Sequence, residues 1–373
     1  MEEKISENKN EHSSDLKYWL AYSRIQKIGP INFKKLANYF NDLKTAWQAN
    51  ANKLISAGLN KDLVEEIIIR RSQINPDQEL NLVNQEGLKT ITIKDDNYPR
   101  ALKEIYNPPP LLYLRGSIDA LNNICLAVVG TRKFSAYGRQ ATEEIVYQLA
   151  ERGLTIISGL ALGIDALAHL ACLNANGKTV AILGSGADQP SVYPSSNRYL
   201  IDKIISSQGA VISEYPVGTA PTKYTFPMRN RIISGLAKGV LVIEAPESSG
   251  ALITAKYALD QNRDVFAIPG SIYSHNSKGV NNLIKQGAKL ITGADDILQE
   301  FNIQVILQET KNEPAISQEE EKIVFNLLSK EPLHIDKIKQ LSKLNINVLS
   351  SALTMLEIKG LIKDIGGKHY LKR

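Results

Sequence analysis

Cysteine is scarce: two residues, Cys125 and Cys172, in a chain of 373. Both sit in apolar runs. That excludes a disulfide framework or a thiolate metal cluster, and each is expected to behave as a small buried hydrophobe. Histidine is scarce too. His12, His169, His275, His334 and His369 show no metal-ligand spacing with one another or with the cysteines, so no metal and no cofactor is expected. Aromatic residues make up 6% of the chain, and no base-reading motif accompanies them. No GxSxG elbow, HExxH pair or paired-carboxylate motif occurs. No apolar run approaches the length of a membrane span. The stretch MEEKISENKNEHSS lacks the apolar core of a signal peptide; residues 1–14 are polar and expected to be disordered, and a cytoplasmic protein with no membrane partner is expected. The formal charge of +5 comes without a polybasic tail, which is compatible with a polyanionic partner without specifying one.

What is present divides into three segments. Hydrophobic residues at 43% and charged residues at 22% are ordinary for a globular protein, and the length suffices for two or three domains. Residues 15–86 read as short helices. RIQKIGPINFKKLANYF places Ile28, Ile31, Leu36 and Phe40 near helical spacing around a Gly29-Pro30 turn, and LISAGLNKDLVEEIIIRR repeats the idea at Gly58 and Asn60. Such pairs resemble SAM or helix-hairpin-helix modules, but a single glycine per turn favours a purely structural bundle. Residues 87–301 alternate apolar strands with helix-length amphipathic stretches: ICLAVVG, LTIISG, TVAILG, AVISEY, VLVIEA, DVFAIPG and KLITG. Near-continuous apolar strands predict a parallel sheet covered on both faces, an extended, doubly wound, Rossmann-like α/β core. KTITIK and LLYLRG, joined through the rigid NPPP stretch, could extend it. Residues 302–318 read as a linker. In 319–373, Ile346, Leu349, Leu353 and Leu356 share a helical face that stops at Gly360, and a hairpin turns at Gly366-Gly367; together they predict a winged helix.

Glycine turns follow four of the strands. They carry Gly130, Thr131 and Arg132; Ser158, Gly159 and Gly163; Gly184, Ser185, Gly186, Tyr193 and Asn197; and Ser248, Ser249, Gly250 and Thr254. Each offers backbone N–H groups and hydroxyls near a helix N-terminus, which suits phosphate oxygens. Four on one inferred edge favour an anion-binding site. PTKYTFPMRNRIISG adds Lys223, Arg229 and Arg231 among Tyr224 and Phe226, cations for phosphate and rings for unpaired bases. A second reading makes Phe226 and Ile232 core and pairs Arg231 with Asp165 or Glu214. Asp165 and Glu244 could each be a helix cap or an arginine partner as readily as an acid or base.

The motifs VVGTR, ISGLALGIDALAH, YPSSN, SEYPVGTAPTKYTFPMRNRIISGL, SGALITAKYAL, VFAIPG and GVNNLIKQGA, in this order, resemble the DprA/Smf family of DNA-processing proteins of bacterial natural transformation. The resemblance covers nearly the whole chain. It implies a homodimeric, non-catalytic protein that binds single-stranded DNA, protects incoming strands and loads the RecA recombinase. By position it places Arg132, Lys223, Arg229, Asn230 and Arg231 at the DNA-binding face, with Arg198 in a stretch where relatives carry lysines. It points loosely to GVNNLIKQGAKLI for dimer contacts. The central segment also resembles lysine-decarboxylase-like phosphoribohydrolases, which cleave nucleoside monophosphates. Those enzymes carry PGGxGT and then a catalytic glutamate; ESSGALITAKYAL has neither the PGG nor that glutamate. A third reading is a sequence-specific regulator acting through the winged helix, where eight basic and two acidic residues fall between Lys337 and Arg373.

Overall fold

Asparagine and aspartate start most of the early helices. In the computed structural model, which describes residues 15–303, 318–329 and 331–372, a helix over 15–23 (α1) is followed by α2 (Pro30–Tyr39), α3 (Leu43–Gln48), α4 (Ala51–Ser56), α5 (Lys61–Arg71) and α6 (Pro76–Gln85). The expected disordered segment 1–14 and most of the expected linker lie outside the described residues. Side chains of Asp42, Asn50, Asn60 and Asn75 accept from first-turn amides at 2.6–3.0 Å. Each such cap stabilises its helix by about 1 kcal/mol. Trp19, Tyr22, Phe33, Leu36, Leu43, Leu54 and Ile67 form the core of this region. Ile28 and Phe40 are buried as expected, but Ile31 is 50% exposed and Phe33 takes the inward place. Two residues on, Phe33 falls on the opposite side of α2, so the register of the inward face could not be read from spacing near a helix end.

The chain divides into two units, Met1–Gln304 and Val305–Arg373. In the first, the early helices share a core with the sheet. Leu20 and Val83 pack in one cluster with Leu111, Tyr113, Leu200 and Ile204, and Ser23 Oγ lies 2.8 Å from Tyr113 Oη.

The strands are β1 (Lys89–Thr92), β2 (Leu111–Gly116), β3 (Cys125–Val129), β4 (Thr155–Ser158), β5 (Thr179–Leu183), β6 (Ala210–Ser213), β7 (Gly239–Val242), β8 (Asp264–Ala267) and β9 (Lys289–Leu290). Among the described residues they form one sheet in the order β1-β2-β6-β5-β4-β3-β7-β8-β9. From β6 to β9 every pairing is parallel; β2 joins β6, and β1 joins β2, antiparallel. This is the mostly parallel, Rossmann-like sheet expected, with KTITIK and LLYLRG extending it at one edge. Alternate residues of β5 face opposite layers. Val180 and Ile182 meet Ile232 and Ile233 of α11 (Thr225–Leu236), with Ala251 and Ala255 of α12 (Gly250–Asp260) in the same layer. Ala181 and Leu183 meet Leu200, Ile201 and Ile204 near α10 (Tyr199–Ser206). Helices α8 (Ala136–Glu151), α9 (Ile164–Asn174), α13 (Lys278–Lys285) and α14 (Ala294–Glu300) complete the layers, with a single-turn α7 (Arg100–Lys103) between β1 and β2. Cys125 and Cys172 are buried and free, and burial pushes both thiols up to about 12.

The second unit contains α15 (Glu319–Leu327), β10 (Leu333–His334), α16 (Ile335–Ser342), α17 (Ile346–Ile358) and a hairpin of β11 (Ile362–Asp364) and β12 (His369–Lys372). It is a winged helix. Val324, Ile338, Leu349, Leu353, Leu356 and Ile362 fill its own core. Ile346, expected on the buried face, is 40% exposed, and Ala352 is buried alongside Leu349 and Leu353. The hairpin turns at Gly366 and Gly367, both at positive φ.

His169 on α9 is wholly buried in the first unit. Thr179 Oγ1 donates to Ile156 O (2.8 Å) and lies 2.7 Å from His169 Nδ1, so Nδ1 carries the proton; Nε2 has no hydrogen-bond partner. Burial, aided by the charge of Arg229, holds the imidazole down at about 3, far below the ~6.5 of an unfolded chain. The unfolded chain therefore binds the extra proton between these values, and stability falls as pH drops from ~6.5 toward 3, by at most ~1.4 kcal/mol per pH unit. Urea unfolding between pH 7 and pH 5 should show this decline, and His169→Gln should make it shallower.

Candidate functional site

All the parallel strands deliver their carboxyl ends to one edge, where open α/β sheets hold their ligands. The order of strands reverses between β3 and β7, and the crevice there is the expected anion cradle. A side chain of the protein fills it. Glu244, 2% exposed, follows β7. Its Oε2 accepts from Ser135 N (2.9 Å) and its Oε1 from Ser135 Oγ (2.6 Å), while Ser135 Oγ accepts from Gly138 N at the start of α8 (3.1 Å). A Cβ on Gly138 would stand 2.5 Å from the Glu244 carboxyl carbon, so glycine is needed for the carboxylate to reach the helix N-terminus. The Thr131 amide donates to Glu244 O (2.7 Å), and Thr131 Oγ1 accepts from Lys133 N.

The next turn is filled in the same way. Asp165, at the start of α9, accepts from Gly159 N (3.0 Å). Burial pushes the Asp165 carboxyl up; the Arg229 charge and the Gly159 and Ala161 amides oppose that rise. Ser158 Oγ donates to Val128 O, and Asn197 Nδ2 donates to Leu160 O (2.9 Å) and Ala161 O (3.1 Å). Gly163 sits at φ +87°, and a Cβ there would lie 2.6 Å from Arg132 Cα. The glycines of SGLALGID thus serve close packing, and the Gly159 amide is engaged by the protein's own carboxylate.

Both expected cationic side chains on α11 point inward. Arg229, 4% exposed, donates through Nη1 to Gly159 O (2.6 Å) and to Ile182 O, and through Nε to Asn230 Oδ1 (3.2 Å). Burial lowers its pKa to about 10, which leaves it charged at neutral pH. Arg231, 5% exposed, donates to the Glu214 carboxylate and to Asn107 O. The Glu214 pairing is the one the second sequence reading anticipated. Asn230 is buried and donates to Gly250 O (3.3 Å). Neither guanidinium is presented to a ligand on the surface.

The outer surface of this edge carries Arg132, Lys223 and Phe226. Arg132 is exposed and stands over the half-buried Phe226 ring at 5.8 Å, with no ion pair among the described residues. Phe226 packs against Gly184, where a Cβ would come within 2.9 Å of the ring, and lies 5.8 Å from Tyr193. Lys223 lies over the exposed Tyr224 ring at 5.1 Å. Arg198 donates to Val192 O (3.1 Å) and Pro190 O (2.6 Å), bracing the loop that holds Tyr193. Ser185 and Gly186 are buried; Ser185 O accepts from Ser213 Oγ (2.5 Å) and Gly186 N donates to Thr219 O. Ser249 caps α12 through Ala251 N, Gly250 is exposed, and Thr254 is 1% exposed. The loop after β8 carries none of the residues expected at this edge from sequence. It joins this edge through Asn276 Nδ2, which donates to Lys133 O (2.8 Å); its place after a parallel strand was the available signal. In the second unit, α17 carries no lysine or arginine and exposes Val348, Met355 and Ile358.

The model of the family described as DNA recombination-mediator protein A matches residues 89–302, and the DprA winged helix domain matches residues 308–368. The chain belongs to this family. It is 37% identical to the Synechocystis protein Smf over 97% of this chain and 100% of that one. It is 48% identical to the DNA processing protein DprA of Streptococcus pneumoniae over 57% of this chain and 74% of that one. The crystal structure of the S. pneumoniae protein aligns with a TM-score of 0.68 at 38% identity, over 76% of this chain and 97% of that one. A structure of DNA processing protein A from Helicobacter pylori, concerned with its single-stranded DNA binding mode, aligns with a TM-score of 0.52 at 28% identity, over 58% of this chain and 97% of that one.

The buried Arg231–Glu214 pair allows a direct test of its internal role. Removing one partner strands the other charge in the interior, which costs about 3–5 kcal/mol. Arg231→Met alone should lower stability to urea by that order. Adding Glu214→Leu should recover much of the loss, as judged by the unfolding midpoint of the double variant.

Proposed function

We propose that the carboxyl edge of the sheet binds the backbone and bases of unpaired DNA with little base preference, and that the protein acts by handling strands rather than by breaking bonds. The carrying observation is the surface array of Arg132 over Phe226, Tyr193 beside that ring, and Lys223 over Tyr224. Exposed cations meet phosphate, and aromatic faces stack on any unpaired base, which gives affinity without sequence reading. A relative in H. pylori studied for its single-stranded DNA binding mode supports the same substrate.

The phosphoribohydrolase reading is not favoured. The α8 N-terminus and the turn amide after β4, where a nucleotide phosphate would be cradled, are engaged by Glu244 and Asp165. Regulation through the winged helix is weaker too, because a groove-reading helix gains affinity from cations, and α17 has none. Within the proposed function, the protein is a non-catalytic homodimeric mediator in the cytoplasm that protects incoming strands during natural transformation and passes them to RecA. The absence of a helix long and apolar enough to cross a membrane among the described residues is compatible with that setting.

Single-stranded DNA should bind more tightly than duplex of equal length. Arg132→Ala and Lys223→Ala should each weaken binding to all sequences alike and reduce the slope of log affinity against log salt by about 0.7. Fluorescence anisotropy across a salt series checks this, and unchanged affinity and slope in both folded variants would remove this face from the DNA site.

A chain ending at Gln304 should stay folded, since each unit has its own core. It should retain most of its single-strand affinity. Circular dichroism with the same binding titration measures both, and a folded truncation that no longer binds would assign strand recognition to the winged helix.

A further inference from the structure

The loop from Gly270 to Ser277 joins a fixed backbone to exposed apolar side chains. Ile272 is 75% exposed and Tyr273 is 92% exposed, the highest value among the large hydrophobic residues described. The backbone around them is tied down on several sides. Tyr137 Oη donates to Pro269 O (2.7 Å), Asn276 Nδ2 to Lys133 O (2.8 Å), and the Ala245 amide to Asn276 O (2.8 Å). Asn281 bonds both the carbonyl (3.0 Å) and the amide (3.3 Å) of Gly270, and Ser277 is buried against that glycine. A ring held in water by a braced loop has lost backbone freedom without gaining burial. That is the state of a preorganised contact surface.

Its position tells what the contact is. The loop follows β8, and Phe226 with Tyr193 lies beyond β5, so the two aromatic sites flank one sheet edge in the order β5-β4-β3-β7-β8. Four strand spacings separate them, roughly 19 Å. Arg132 and Lys133, both exposed, follow β3 in the middle of that span, and Lys278 is exposed where α13 begins. Glu247, an exposed carboxylate of this region, bonds Asn282 (3.3 Å). Ring, cations, ring is the pattern that tracks a single strand, with phosphates over the cations and a base on each ring.

We propose that Tyr273, flanked by Ile272, is a second stacking platform that receives an unpaired base of a strand already held at Phe226 and Arg132. This rests on the preceding assignment of the sheet edge to single-stranded DNA. Because the platforms are separated, only strands long enough to span the edge engage both.

The test uses the full chain with Tyr273→Ala and Tyr273→Phe, and oligothymidylates of about 3 nucleotides, too short to span the edge, and about 16 nucleotides. Tyr273→Ala should weaken the longer strand about 5- to 150-fold, the loss of one stacked base. It should leave the shorter strand and the salt slope unchanged, because no ionic contact is removed. Tyr273→Phe should bind like the parent. If Tyr273→Ala leaves the longer strand unaffected while Arg132→Ala weakens both lengths, the second platform is wrong and the first site stands. If neither substitution changes either length, the DNA assignment of the whole edge fails with it. A Tyr273→Ala variant that loses self-association in sedimentation yet keeps its affinity for the longer strand would make the loop a protein contact and overturn the proposal.

Discussion

The guanidinium of Arg229 closes the floor of the sheet edge. Arg229 donates to Gly159 O, just after β4, and to Ile182 O, near the end of β5. A charge 4% exposed needs a counter-charge, and Asp165 supplies it while taking the Gly159 amide. Helices α9 and α11 and the turns after β4 and β5 are thereby held as one body. A Cβ on Gly159 would stand 2.6 Å from the Arg229 guanidinium carbon, so the glycine turn exists to admit the arginine. Phe226 lies three residues earlier on α11, on the same face one turn nearer the helix start, where its ring is only half-buried. The internal lock therefore places the external ring.

On the proposed function, this arrangement leaves binding to the outer surface of the sheet edge. In an open parallel sheet, helix N-termini and turn amides are free to hold a phosphate. Here Glu244 takes the amide at α8 and Asp165 the amide at the α9 turn. An enclosed anion would have to displace a buried carboxylate from its hydrogen bonds. What remains for a ligand lies above that closed floor, where Arg132, Lys223 and the rings of Phe226, Tyr193 and Tyr224 are reachable from solvent. A long polyanion fits such a surface better than a small molecule does.

The two units differ in how they are stabilised. The early helices are not self-sufficient, since Leu20 and Val83 complete a cluster with β2 and α10. The winged helix fills its own core, and its buried Glu321 pairs with Lys359. Its α17 presents Val348, Met355 and Ile358 rather than cations, so the basic residues of this unit lie outside the helix that would enter a groove.

Sequence alone determined the element types, because periodicity and turn chemistry are local. Seven apolar strands with intervening helices predicted the parallel sheet, and Gly366-Gly367 between short strands predicted the wing. The motifs pointed to the family for the same reason: they are strings. Tertiary structure decided which way each polar group faces. Arg229 and Arg231 look like phosphate ligands in the string MRNRIISG, and only the carbonyls of Gly159 and Ile182 and the carboxylate of Glu214, brought from distant strands, turn them inward. The same holds for Glu244, whose partner Ser135 lies more than 100 residues away, and for the loop that carries Tyr273, which Asn276 ties to Lys133 O after β3. Local spacing encodes which hydrogen-bonding groups a segment carries; whether they are satisfied inside or left for a ligand depends on neighbours that only folding supplies.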